Sequence, residues 1–487
     1  SGNEKPSGQI LVPKIGYLKT LNESQTYQAR IGSLGDLLME HGVEIRVYGN
    51  RNVDNHIYQH APLIAMTSAG VVADGDVSDQ VLIEDHTAPQ GMRTNTTFLL
   101  NDIRQWLVDD MRSAANDKLL LIEYGDWYRL AQESFSYEKS QLERMQIREL
   151  RILDQFVHDL ISVMQEKEQE QLWIFSPQSH KEAYRNKLYV TPLIRFSHDR
   201  EIFRIVEPRS QNIVEIVEHF NHQSGLLTSS TTRRTGLVSL HDIAPSLLTS
   251  MGIEIPEDWT GRPMQAEPHN ESLKWLLQDV NKMQNVYKLR TSMVILFVMY
   301  EVIVLLISLL MVLLGWRKAL RWMRIPLFTL LAAPLFILLL GLIPDYESIV
   351  QMFVLIGLVL GVSVFLVSLF SVITGIIVIS ALTSLALLID GLNGAGLLKY
   401  SIMGYDPMIG ARYYGIGNEY MGVLVGSAIL TVSLVAERLA ARRRMLQQHW
   451  QTSDTEDINR IHSLPPRTAR SKRFTLWDSR WFLALAA

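Results

Sequence analysis

The chain has 487 residues, 47% hydrophobic and 20% charged, with a formal net charge of −4 and no cysteine. That length has room for about two or three domains. Without cysteine there are no disulfides and no thiolate metal sites, and without a basic stripe nothing points to nucleic acid as a partner.

The bulk values hide a division, because nearly all the long apolar runs follow Thr291. Before it the chain is polar, charged and mixed. Leu34 to His41 reads as a helix stopped by Gly42, and Val43, Ile45 and Val47 alternate with Glu44, Arg46 and Tyr48 as a half-buried strand. Residues 119–124 form a short apolar strand ending at Gly125-Asp126. Residues 143–165 read as a long helix whose Ile147, Leu150, Leu153, Val157, Leu160 and Met164 recur at i+3 and i+4. Residues 172–175 are the next strand. Helices between buried strands imply a mainly parallel sheet covered on both faces. Ligands of such sheets bind beyond the carboxyl ends of the strands, which points to Asp126 and to the turn at 176–180.

The run Thr231-Thr232-Arg233-Arg234-Thr235-Gly236-Leu237-Val238-Ser239-Leu240-His241-Asp242-Ile243-Ala244-Pro245-Ser246-Leu247-Leu248 continues through Met251-Gly252-Ile253 to Gly261-Arg262-Pro263. It resembles the closing segment of the alkaline phosphatase superfamily of sulfatases, phosphodiesterases and phosphoglycerate mutases. A looser correspondence reaches back to Leu34. The resemblance implies an α/β alkaline-phosphatase-like sandwich over residues 1–285. The arrangement as a whole is similar to bacterial cell-envelope membrane proteins with a phosphatase-like ectodomain. Active members of the superfamily hold two metal ions, such as zinc or manganese, on Asp and His beside a Ser or Thr nucleophile. Here Asp126 matches one ligand position, but Trp127-Tyr128-Arg129-Leu130 follows it without a His, and Ser176-Pro177-Gln178-Ser179 stands where an Asp-His pair belongs. The expectation is therefore a degenerate, non-hydrolytic domain with no cofactor, in which Asp126 is a remnant ligand or, more simply, a helix N-cap. The nucleophile would fall at or before the first residues, since the chain reads as a fragment of a longer protein. Asp85-His86 reads as a hydrogen-bonded loop pair, and Arg233 and Arg234 as a surface ion pair ahead of an anion clamp.

Five apolar segments suit membrane spans: 291–315, 325–342, 349–367, 371–389 and 420–436. Arg317, Lys318, Arg321 and Arg324 follow the first, and Arg438, Arg442, Arg443 and Arg444 follow the fifth. By the positive-inside rule, five crossings put both basic regions in the cytoplasm and residues 1–285 outside it. The expected organisation is an all-α transmembrane bundle over 291–436, a basic cytoplasmic loop over 437–480 and, at 481–487, the opening of a further transmembrane helix.

The densest polar cluster of this half is the outer loop at 404–420. Asp406, Arg412, Asn418 and Glu419, with Asp390 just before, are the candidate substrate-binding residues. A phosphate or carboxylate head group would meet Arg412 and the free amides at the start of the fifth span. Glycines 415, 417 and 422 allow close backbone approach, and Tyr405, Tyr413, Tyr414 and Tyr420 suit the interfacial aromatic belt. Glu301, about ten residues into the first span, is expected in the bundle or a cavity and not against lipid. Three functions compete. One is a non-hydrolytic ectodomain over a membrane domain that handles a phosphorylated or lipid-linked substrate. The others are an active metal-dependent phosphatase or phospho-group transferase, and a transporter or flippase.

Overall fold

The computed structural model describes residues 8–26, 29–53, 56–109, 117–164, 170–197, 225–342, 349–409 and 415–461. The principal elements of the N-terminal part are α1 (Ser33–Glu40), β1 (Glu44–Tyr48), β2 (Asp74–Asp76), α2 (Thr96–Asp109), β3 (Lys118–Ile122), α3 (Asp126–Glu133), α4 (Lys139–Met164), β4 (Gln171–Phe175), β5 (Leu193–Ser197), β6 (Gly225–Thr228), α5 (Ile243–Ser250) and β7 (Gln265–Pro268). The helical region adds α6 (Ser272–Leu313), α7 (Arg324–Leu339), α8 (Ile349–Leu369), α9 (Val372–Leu392) and α10 (Asn418–Ile461).

Strand β1 is central in a three-stranded parallel sheet of order β2-β1-β3. Its alternation sends Ile45 and Val47 to one face, where they pack with Leu38, Ala65, Met66, Leu119 and Leu248. Tyr48 goes to the other face with Leu99 and Ile103 of α2 and Phe156 and Leu160 of α4. Arg46 lies half-buried among charged and aromatic partners, bonded to Asp74 and Asp102 and 5.1 Å over the Trp106 ring. An alternating strand thus sits in a sheet covered on both faces because its one charged inward side chain is paired. Gly42 closes α1 with a φ of +72°, as its position after the helix anticipates.

The strand expected at 172–175 does not join this sheet. It is β4, paired antiparallel with β5 from Gln171↔Ser197 to Phe175↔Leu193. A four-residue apolar run encodes extension and burial but carries no information about its pairing partner. The long helix α4 likewise buries only part of its apolar stripe: Phe156 and Leu160 are enclosed, whereas Ile147 and Leu150 are exposed.

Among the described residues four helices are long and apolar enough to cross a membrane: 272–313, 318–339, 372–392 and 418–447. The expected third span falls on the 21-residue helix α8, within which Ile356–Leu369 is an apolar stretch. The membrane stretches of α6 and α10 bury little of their apolar surface against the rest of the chain, which suits a lipid surround. Inside the bundle, Phe328, Ala332 and Leu335 of α7 meet Val359 and Leu366 of α8 and Ile379 of α9. Ser384 of α9 shares a 2.7 Å hydroxyl bond with Ser427 of α10. Helix α6 is continuous from the N-terminal domain into the bundle, and its 42 residues correspond to about 63 Å.

Candidate functional site where the N-terminal domain meets the helical bundle

The motif segment builds one wall of this site. Asp242, fully buried, accepts from Ser229 Oγ (2.6 Å), Thr231 Oγ1 (2.5 Å), the Ser239 amide (2.8 Å) and the Arg262 amide (3.0 Å). Four donors on one carboxylate hold the turn after β6 in a single shape. Within that turn Arg233 adopts a φ of +51° and is exposed, while Arg234 turns inward and is 3% exposed. Gly236, at φ +79°, lets the turn press on α6; a side chain there would meet Trp275 and Leu276 at 3.0 Å.

Arg234 Nη2 donates to both oxygens of Asp279 on α6, at 3.3 and 3.2 Å. The Tyr400 hydroxyl, from the loop between α9 and α10, donates to the same carboxylate. Arg234 also stacks 5.0 Å over the Tyr400 ring, with Lys282 Nζ 6.0 Å from that ring. A single buried carboxylate thereby joins the N-terminal domain, the connecting helix and the α9–α10 loop. Arg234 Nε and Nη1 are buried without a hydrogen-bond partner among the described residues. Burial, then the Arg234 charge, lowers the Lys399 pKa, with Asp279 and Asp390 opposing. Burial also pushes the Tyr405 hydroxyl up to about 12. The same two parts touch again where Gln284 Nε2 donates to the Asn186 carbonyl (2.8 Å) and Tyr189 packs edge-on against Tyr287 at 5.3 Å.

The expected substrate-binding acids each have a local partner. Asp390, 9% exposed at the end of α9, accepts from the Leu397 and Leu398 amides at 2.9 Å each. Asp406 accepts from the Met408 and Ile409 amides at 2.8 Å. Glu419 opens α10 and pairs with Arg290 of α6 at 2.6 Å. Asn418 is the exposed first residue of that helix, and Arg412 lies outside the described residues. Of the glycines, Gly417 does lie close to backbone, since a side chain there would meet Gly404 at 2.8 Å, whereas one at Gly415 or Gly422 would meet nothing among the described residues. Tyr405 and Tyr420 depart from the aromatic-belt expectation: they are 7% and 0% exposed, and Tyr420 bonds Ser401 Oγ (2.8 Å) and the Pro334 carbonyl (3.2 Å). Tyr413 and Tyr414 lie outside the described residues. Glu301 corrects another expectation, being exposed on α6 and not enclosed by the described bundle.

At the carboxyl end of β3, Asp126 is the first residue of α3 and Gly125 its cap, so the N-cap role is not the one observed. Its Oδ1 accepts from the Thr94 amide and hydroxyl, each at 2.9 Å, and pairs with buried Arg129, while Oδ2 is buried without a hydrogen-bond partner among the described residues. The guanidinium beside it disfavours a cation there. His180 caps the helix at Lys181–Arg185 by accepting from the Glu182 amide. Among the described residues no three His, Asp or Glu side chains are placed to hold a metal. Asp85 is hydrogen-bonded to Thr87 and paired with Arg93 at 3.2 Å.

Sequence reasoning placed Arg234 on the surface and missed Asp279 and Tyr400, while Lys399 stood out only as a charge between Asp390 and the 404–420 loop. One signal was legible: Asp279, Met283 and Val286 share a helical face, and an acid on an apolar face requires a partner. Comparison with protein-family models finds no matching family, and neither curated proteins nor solved structures provide a match.

Proposed function

We propose that this is a multi-pass protein of the bacterial cell envelope, with residues 1–285 outside the cytoplasm as a degenerate, non-hydrolytic phosphatase-like domain. In this reading the helical domain handles a phosphorylated or lipid-linked substrate at its outer face, and the N-terminal domain covers that face. The supporting observation is the buried Arg234–Asp279 pair with Tyr400, which fixes the domain against the very end of the bundle where the α9–α10 loop lies. A loosely tethered domain would gain nothing from a desolvated pair at that point, since such pairs repay their burial only with close geometry and further hydrogen bonds.

The competing reading, an active zinc- or manganese-dependent phosphatase or phospho-group transferase, would need Asp126 as a ligand beside the buried Arg129 guanidinium, which already pairs with its Oδ1. The transporter or flippase reading rests on Glu301 together with the 404–420 loop, and Glu301 is exposed on α6 and not enclosed among the described residues. The test uses the purified full chain with a phosphodiester chromogen and added zinc or manganese. No turnover is expected, and phosphorylated lipids should be enriched over neutral ones in the co-purifying extract. Hydrolysis that Asp126→Ala abolishes would replace this reading with the enzymatic one.

A further inference from the structure

Among the described residues, the junction carries more hydrogen-bond donors and more positive charge than its own groups satisfy. Arg234 is 3% exposed, yet its Nε and Nη1 have no acceptor among the described residues. Each buried unmatched donor costs about 1–3 kcal/mol, and such groups persist in native proteins where a water, an ion or a ligand completes them. Beside Arg234 stands Lys399, on the one-turn helix Leu398–Tyr400, half-buried and without an ion-pair or hydrogen-bond partner for its ammonium among the described residues. Lys282 lies exposed on α6 over the outer side of the same Tyr400 ring. Against these three cations stand two carboxylates among the described residues. Asp279 is shared by Arg234 and Tyr400, and Asp390 is held by two backbone amides of the turn that carries Lys399.

We propose that Arg234 and Lys399 form the floor, and Lys282 the rim, of a binding site for a phosphate monoester. This deepens the functional reading above and rests on it. A phosphate monoester brings about −1.5 to −2 charge and three acceptor oxygens. That matches the unpartnered donors on Arg234 Nε and Nη1 and one ammonium better than a carboxylate with two oxygens. The planar Arg234 fork, already oriented by Asp279 and by stacking on Tyr400, presents its remaining donors at little further entropic cost. Burial and the neighbouring guanidinium depress the Lys399 pKa more than Asp279 and Asp390 raise it. An arriving dianion would reverse that.

The source of the phosphate is either a lipid head group or a soluble ester, and the experiment separates them. The full chain in phosphatidylcholine nanodiscs is titrated calorimetrically with dihexanoyl phosphatidic acid, glycerol 3-phosphate and dihexanoylglycerol. Dihexanoylglycerol is expected not to bind. Lys399→Gln, which leaves the Arg234–Asp279 pair intact, should weaken phosphate binding by about tenfold or more, as loss of a charge-assisted contact does. Lys399→Arg should stay within about threefold of wild type, since the charge and donors are kept. Binding of phosphatidic acid alone identifies a lipid head group, and equal binding of glycerol 3-phosphate identifies the phosphate itself. If Lys399→Gln binds phosphatidic acid as wild type does, this site is wrong while the wider reading stands. If wild type binds neither phosphate compound nor discriminates against dihexanoylglycerol, both fail.

Discussion

Replacing Arg234 by alanine tests whether the two parts of the protein are locked together or merely adjacent. The side chains of Arg234 and Asp279 are 3% and 6% exposed. Removing one member of a buried pair costs about 3–5 kcal/mol because the other charge is stranded, against about 0–1 kcal/mol for an exposed pair. Tyr400 still donates to Asp279 in the variant, so the low end, about 3 kcal/mol, is the expected value. That is roughly two orders of magnitude in the population of the open junction. Hydrogen exchange of the full chain, read by mass spectrometry over residues 276–286 and 398–405, reports this opening directly. Arg234→Ala should accelerate exchange there by about a hundredfold, and adding Asp279→Asn should recover part of the loss by removing the stranded charge. Lys274→Ala, which breaks a pair with Glu271 whose members are 64% and 60% exposed, serves as the control and should change little. Exchange in Arg234→Ala within about threefold of wild type, or additivity of the two substitutions, would refute the claim that this pair is a coupled, desolvated lock.

Two further outcomes follow from the same structure. Cysteine introduced at exposed Ser250 should react with an impermeant reagent on whole cells while cysteine at exposed Ala440 is protected; the reverse pattern would overturn the proposed orientation. Burial, with the Asp126 charge adding and Arg93 opposing, raises the Glu149 carboxyl above the usual glutamate range. Its folded pKa then exceeds its unfolded one, so its contribution is complete below the ordinary glutamate pKa and is lost as pH rises through the folded value. Thermal unfolding of the N-terminal domain, followed by tryptophan fluorescence, should therefore fall with rising pH in this window. Glu149→Gln should flatten that fall, and an unchanged slope in the variant would contradict the assignment.

Periodicity and charge alone decided the division of this chain. An apolar run long enough to cross a bilayer is a local property, and so are the alternation of residues 43–48 and the glycine that ends α1, because chain geometry sets each within a few residues. The helices long enough to cross a membrane and the parallel strands β1 and β3 accordingly stand where the residues indicated, while β2 was not marked by any such pattern. What tertiary structure decided is partnership. Residues 171–175 pair with Leu193–Ser197 and not with the parallel sheet, and nothing within that short run distinguishes the two outcomes. Arg234 reads as a surface arginine until α6 brings Asp279 to it from 45 residues away, and Tyr400 closes the cluster from 121 residues beyond Asp279. Asp390, Asp406 and Glu419 read as a gathered polar site, yet each is taken by its own amides or by Arg290. Charge is legible residue by residue, whereas desolvation, which decides what a charge costs and what it must bind, exists only once the chain has folded around it.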